Sequence, residues 1–388
     1  MFNSLRLGFN DSIKLELLLG GAKAVQIIGN SPFLQSTWYP ALRTSGSSRA
    51  SVSVIGDSIT AGYYSTNWDT KSYVALLRSK LQTKFGNGGE GFLSMLHTDY
   101  APGAPGGDAV ARWSYDGVAW VGEYADAMTG AGAAAGRKYC NTAVAASLTF
   151  TGDSVQLMTA HNHLNGSTTM DIYMDNVLNT TWDCRGDGVT VNLQYGQVVN
   201  ITGLGLGSHT IKMKIRTTDG NFVFAEGVRP LIGTAGVVVD RFSKGWMRAD
   251  WLGNVNDGNS AGAYYQSLKS SVDVLDTDLY IVALGIDDYI NQTALATFET
   301  RMTTIVQRCK AKANCVVLAM PQPNSSLAIP YSSYVTSMQT VATAQSAMLL
   351  DVRARWGNVY NADKMTGSDH PNDVGHADIA QYVYDSII

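Results

Sequence analysis

Four short stretches carry residues suited to chemistry, and each adjoins an apolar run. "VIGDSITAG" (54–62) ends a Ser/Val strand in a turn of small residues with Ser58 at its tip. "DRFSKGWMRAD" (240–250) follows the run 237–239 and holds Gly245, and "ALGIDDYIN" (283–291) holds Asp287 and Asp288. "GSDHPNDVGHADIA" (367–380) sets Asp369 beside His370. A serine hydroxyl becomes a competent nucleophile once a neighbouring imidazole accepts its proton. Attack on a carbonyl creates an oxyanion that needs preorganised donors. A serine, a glycine with a free amide, a polar side chain and a histidine beside acids are together the parts of an acyl-transfer site.

The elements that must position these residues come in two textures. From 51 to 92, a strand at 52–55 precedes a helix over 71–85, with Val74, Leu77, Leu81 and Phe85 on one face. From 237 the same texture returns: the apolar runs "GVVVD", "LYIVALG", "CVVLAM" and "AMLLD" alternate with helical patterns near 262–272, 293–309, 332–345 and 374–387. Short Val/Ile/Leu runs between helices predict a parallel sheet buried on both faces. Between them, "SLTFTGDSVQLMTA", "TMDIYMDNVLNTTW" and "SHTIKMKIRTTDGNFVFAEGV" alternate with period two and are separated by turn signals, which predicts antiparallel strands. The expected organisation is one α/β domain over 51–95 and 233–388, interrupted by a jelly-roll-like β-sandwich module over 96–232. Residues 1–50 form a segment with no assigned structure. In an open α/β sheet, functional groups gather at the carboxyl ends of the strands, where these loops fall.

On these residues the sequence resembles the GDSL/SGNH hydrolases, a family of esterases, lipases and carbohydrate deacetylases. Gly56-Asp57-Ser58 with Gly62 resembles the family's first block, Gly245 stands where the second block has its glycine, and Gly285-Ile286-Asp287-Asp288 resembles the third. His370 in "HPNDVGH" resembles the fifth. The resemblance implies a three-layer α/β/α fold and a serine mechanism with no cofactor and no metal. Ser58 would be the nucleophile and His370 the base. The oxyanion hole would combine the Ser58 and Gly245 amides with a side chain from position 287. It further implies that Ser58 Oγ lies within hydrogen-bond reach of His370 Nε2.

Two positions depart from the family pattern. The third block normally carries an Asn amide, whereas this chain has Asp287, and an ionised carboxylate donates no hydrogen bond. Either Asp287 is protonated, or it turns away, or the hole runs on two amides. The acid that orients the base normally precedes it by three residues, where this chain has Gly367. Asp369 is the first substitute and Asp363 the second, while Asp373 is expected to cap the final helix.

Composition narrows the function classes. A net charge of −4 without a Lys/Arg cluster argues against a nucleic-acid partner. No run of 18 apolar residues is present, so no membrane span is expected. The first residues lack a secretory pattern because Asp11 and Glu16 interrupt the apolar stretch. The low charged share, 15%, with abundant Gly, Ser, Thr and Asn, nevertheless suits a secreted, virion or cell-surface protein. The four cysteines match no zinc spacing, and Cys140 and Cys184 either pair or remain buried thiols.

His161 and His163 share a strand face but lack a third metal ligand. Trp113, Trp120 and Trp182 are either a sugar platform or buried aromatics, and 86–91 reads as a flexible connector. The expected substrate is an acylated polysaccharide. The rival within hydrolases is a lipid or small-ester hydrolase. The rival outside them is a carbohydrate-binding or virion-tail protein on a degenerate scaffold.

Overall fold

The structure is a computed structural model that describes residues 31–95, 112–116, 121–122, 138–140, 143–161, 169–185, 194–216, 223–253, 272–367 and 369–388. Its centre is a five-stranded sheet in the spatial order Gly236–Ser243, Arg49–Gly56, Leu279–Ala283, Asn314–Ala319, Met348–Asp351. Every neighbouring pair is parallel. Numbered along the chain, that order is 2-1-3-4-5. The connection direction therefore reverses between the first and third strands, and a crevice opens at their carboxyl ends.

Successive strand residues point to opposite faces. The strands Leu279–Ala283 and Asn314–Ala319 are buried at every position, so both faces of the sheet are covered. Helices Tyr73–Phe85 and Asp373–Ile387 pack on each other, as do Leu295–Lys310 and Tyr331–Ala344. The periodicity read from sequence located all four to within about three residues, the usual precision for helix ends. The expected helix at 262–272 and residues 1–30 lie almost wholly outside the described residues.

Residues 31–50 join the α/β body. Asn314, at the start of its strand, accepts from the Thr37 and Trp38 amides at 2.9 Å each and donates to the Phe33 carbonyl at 2.7 Å. Trp38 Nε1 donates to the Ile387 carbonyl at 2.7 Å, tying the helix Trp38–Thr44 to the last helix.

The middle of the chain forms two antiparallel sheets. One runs Gln194–Ile201, Ser154–His161, Val223–Leu231, Lys138–Cys140, Val121–Gly122; the other runs Trp113–Tyr115, Ala145–Gly152, Gly207–Ile215, Thr169–Met174, Val177–Asp183. Leu157 and Val228 of the first share a buried cluster with Leu148, Ile172 and Ile211 of the second. The chain enters and leaves this region side by side, because Leu93 and Ser94 pair antiparallel with Val228 and Gly227.

The 86–91 stretch is pinned rather than flexible. Gly88 donates to the Val237 carbonyl at 3.0 Å, and Val237 donates to the Gly86 carbonyl at 2.8 Å. Gly91 sits at φ +79°, where a Cβ would lie 2.0 Å from the Val239 carbonyl oxygen, so backbone contact demands glycine. Cys140 and Cys184 are both buried and do not form a disulfide with each other.

A buried ion pair joins the two kinds of sheet. Arg229 donates from Nε to Asp240 Oδ1 at 2.9 Å and from Nη2 to Ser51 Oγ at 2.6 Å, with Nη2 also 2.7 Å from Asp240 Oδ2. Both side chains are essentially excluded from water. Removing one partner strands the other charge in the interior, which typically costs about 3–5 kcal/mol. Arg229→Ala should therefore lower the urea midpoint sharply, whereas Arg229→Met combined with Asp240→Leu should recover most of that loss. Unfolding monitored by circular dichroism checks both.

Candidate active site

The first strand ends at Gly56, where an added Cβ would sit 2.1 Å from Thr60 Oγ1 and 2.7 Å from the Ala283 carbonyl oxygen. Only a glycine lets the strand turn that tightly into the helix Ser58–Ala61. Asp57 caps this helix, its Oδ1 accepting from the Ile59 amide at 2.9 Å. Gly62 stops it at φ +107°, donating back to the Ser58 carbonyl at 3.0 Å. The Gly-Asp-Ser turn thus fixes the Ser58 backbone from both ends of a single helical turn.

Ser58 Oγ lies 2.8 Å from His370 Nε2, and His370 Nδ1 lies 3.0 Å from Asp369 Oδ1. A proton on Nδ1 facing the carboxylate leaves Nε2 free to accept from the serine. Asp369 reaches the ring from the adjacent position; two residues before it, Gly367 is at φ +71° and its carbonyl accepts from Tyr360 Oη at 2.8 Å. Asp363 is exposed; its amide donates to Asn361 Oδ1 at 3.1 Å and its carbonyl accepts from Asn372 Nδ2 at 3.0 Å.

Asp373 is not the helix cap expected from sequence. Asn372 caps the last helix, its Oδ1 accepting from the Val374 and Gly375 amides. One residue further on, the Asp373 carboxylate is instead free to clasp Thr66, accepting from its amide at 2.7 Å and its hydroxyl at 2.6 Å.

Further residues of the site had no assigned role in the sequence reading. The rings of Tyr63 and Tyr64 flank His370 at 5.8 and 4.9 Å between centroids. His376 is fully buried; its Nδ1 accepts from the Tyr73 amide and its Nε2 donates to the Tyr63 carbonyl, both at 3.2 Å. Burial drives its pKa down to about 4, so it stays neutral and braces the Tyr63 turn. A Tyr-Tyr pair directly after Gly62 was the available signal for the aromatic wall.

Gly245 and Asp287 line the same open cleft of about 70 Å³ as Ser58, Tyr63, Trp246, Asp369 and His370. The Gly245 turn is tied to the first strand by the Lys244 amide, which donates to the Gly56 carbonyl at 3.2 Å. Asp288, beside Asp287, accepts from the Ala249 amide at 2.7 Å and so holds the helix that follows this turn. Asp287 is 3% exposed, and its Oδ2 has no hydrogen-bond partner among the described residues. Burial pushes its pKa well above the usual carboxylate range, and the charges of Asp57, Asp288 and Asp369 push the same way. Burial likewise raises Asp57 and Asp288 to about 7 each.

Two other groups singled out by sequence lie elsewhere. Trp113 is buried, with Nε1 donating to the Ser94 carbonyl, and Trp182 meets His161 edge-on. Trp120 and His163 lie outside the described residues.

No protein-family model and no curated protein matches the chain. Among solved structures, one described as a peptidoglycan O-acetylesterase in action is similar at 15% identity, covering 92% of this chain and 95% of its own, with a TM-score of 0.61. The two chains share a fold over nearly their whole lengths. A family 2 carbohydrate esterase with a carbohydrate-binding domain from Corynascus thermopiles (Myceliophthora fergusii) is 13% identical, covering 63% of this chain and 93% of its own, at a TM-score of 0.29. A family two carbohydrate esterase from Cellvibrio japonicus is 12% identical, covering 71% and 94%, also at 0.29. These two superpose too loosely to add to the comparison.

The raised acids make stability depend on pH. Asp288 stays protonated in the folded chain up to about 7, against an ordinary value of 3.8, so the folded state holds the extra proton between those values. Its contribution is complete below 3.8 and is lost as pH rises through about 7. His376 works in the opposite direction, adding stability as pH climbs from about 4 to its ordinary 6.5. Asp288→Asn keeps an oxygen for the Ala249 amide and removes one ionisable group. Its melting temperature should fall less between pH 5 and 8 than that of the parent chain, as thermal melts at the two pH values will show.

Proposed function

We propose that the chain is a serine esterase of the GDSL/SGNH type that removes acetyl or similarly small acyl groups from a carbohydrate. The observation that carries this reading is the relay from Ser58 Oγ through His370 to Asp369, at the carboxyl end of the first strand and in one cleft with Gly245 and Asp287. The fold shared with a chain named as a peptidoglycan O-acetylesterase supports the reaction class. At about 70 Å³ the cleft is far smaller than drug-sized ligand sites, which run from about 300 to 1,000 Å³, and suits a short acyl group. On this reading 51–95 and 233–388 form the hydrolase domain, and 96–232 forms an inserted β-sandwich module that helps recognise a polymer outside the cell or on a virion. A purely binding role is less favoured, because it gives no reason to hold a serine, an imidazole and a carboxylate in line.

In the reaction, Ser58 Oγ bonds to the ester carbon as His370 Nε2 takes its proton. The carbonyl π electrons move onto oxygen, and the oxyanion is met by the Ser58 and Gly245 amides and by the protonated Asp287 carboxyl. Collapse breaks the bond to the sugar oxygen, which leaves with the proton from His370. Water then attacks the acyl-serine, giving its proton to His370. The second tetrahedral intermediate releases the carboxylic acid and restores Ser58. The Asp369 carboxylate stabilises the imidazolium at both stages.

With 4-nitrophenyl acetate, Ser58→Ala and His370→Ala should each lose at least about 10³-fold in kcat. Turnover undiminished in Ser58→Ala would sink the esterase reading. Asp287 donates only while protonated, so the rate should fall on the alkaline side as it ionises. Asp287→Asn supplies an N–H at every pH. It should abolish that alkaline fall and raise kcat there by about tenfold or more, given the 10²–10³ that such a donor contributes. A lower kcat at every pH would show that Asp287 serves the loop and not the oxyanion.

A further inference from the structure

We propose that Trp246 determines substrate specificity, as the surface on which the neutral pyranose ring of an acylated sugar stacks while its ester group reaches Ser58. The inference rests on the esterase reading and names its substrate class. Trp246 has φ +64°, a left-handed conformation that is costly for a bulky residue. Its side chain is 54% exposed, so burial does not offset that cost. Among the described residues, it is the exposed large apolar side chain that lines the cleft.

Strain and exposure together, next to a nucleophile, point to a ligand contact. The turn is held on both sides of the indole. Lys244 donates to the Gly56 carbonyl, Met247 donates to the Lys244 carbonyl at 3.2 Å, and the Met247 side chain is buried. The nucleophile strand itself therefore sets the position of the ring.

The chemistry selects the partner. An indole presents a flat apolar face with a donor at its edge, which matches a pyranose, whose C–H face is apolar and whose rim carries hydroxyls. A long acyl chain needs a continuous apolar groove, and this cleft offers one large exposed apolar side chain. The described cleft lining includes Asp287 and Asp369 and no Lys or Arg, which disfavours uronate or phosphate sugars.

The probes are methyl tetra-O-acetyl-glucopyranoside and vinyl acetate, an ester without a ring. Trp246→Ala should lower kcat/KM for the sugar ester, mainly through KM, by about tenfold more than for vinyl acetate; Trp246→Phe should retain most of the discrimination. Proportionate losses on both esters, or none on either, would overturn the proposal. Calorimetric titration of the sugar ester into Ser58→Ala, with and without Trp246→Ala, needs no turnover. Binding by the single variant that weakens about tenfold in the double one supports stacking, and equal or absent binding in both overturns it. A chain that binds the sugar ester through Trp246 but hydrolyses neither ester would retain the stacking site and lose the esterase reading.

Discussion

The hydrogen bond from Ser58 to His370 spans 312 residues of chain, and much of the architecture is explained by what is required to close it. Ser58 leaves the first strand of the parallel sheet, whereas His370 sits just before the last helix. The 2-1-3-4-5 strand order places the reversal of connection beside the first strand, so the loops after strands one, two and three converge on one crevice. The last helix then delivers His370 by packing on the helix Tyr73–Phe85. Asp373 and His376, on its first turn, grip the Tyr63–Thr66 segment that follows the Gly-Asp-Ser turn. His370 and Ser58 are thus fastened to each other by neighbouring residues as well as by their own contact.

Four carboxyls stand around that contact, and their surroundings give them different work. Asp369 is partly open to water, and its Oδ1 stands 3.0 Å from His370 Nδ1. Asp57 and Asp288 spend oxygens on backbone amides and act as structural caps, one for the Gly-Asp-Ser turn and one for the helix after Gly245. Asp287 has one oxygen without a hydrogen-bond partner among the described residues and is crowded by the charges of Asp57, Asp288 and Asp369, conditions that favour the neutral acid. An acid in place of an amide is therefore physically consistent at this position, at the cost of a dependence on pH that an asparagine would not have.

The antiparallel sheets are not loosely appended. Arg229 reaches from one of them to Asp240 and Ser51 in the parallel sheet, and the Asp240 carboxylate also accepts from the Phe92 amide at 2.9 Å. The glycines of 86–91 let the backbone lie directly against the strand Gly236–Ser243. Entry and exit of the β-rich region are thereby locked to the strand whose far end carries the Gly245 turn.

Much was legible in the sequence because it is encoded locally. Period and apolar runs specified the strands and the four long helices. The Gly-Asp-Ser turn followed from its glycines, and the Asp369–His370 adjacency is a matter of two neighbouring residues. What sequence could not decide was which acid faces the imidazole, since Asp363, Asp369 and Asp373 all lie within ten residues of chain; the fold sets Asp369 at the ring, leaves Asp363 exposed and turns Asp373 to Thr66. It could not show that Trp246, and not Trp113 or Trp182, is the tryptophan in the cleft, because exposure depends on what packs against each ring. Nor could it set the protonation of Asp287, which follows from burial and from carboxyls contributed by three separate loops. Local pattern determined the elements and the candidate chemistry; long-range packing and the loss of water decided the charge states, the partners and the shape of the site.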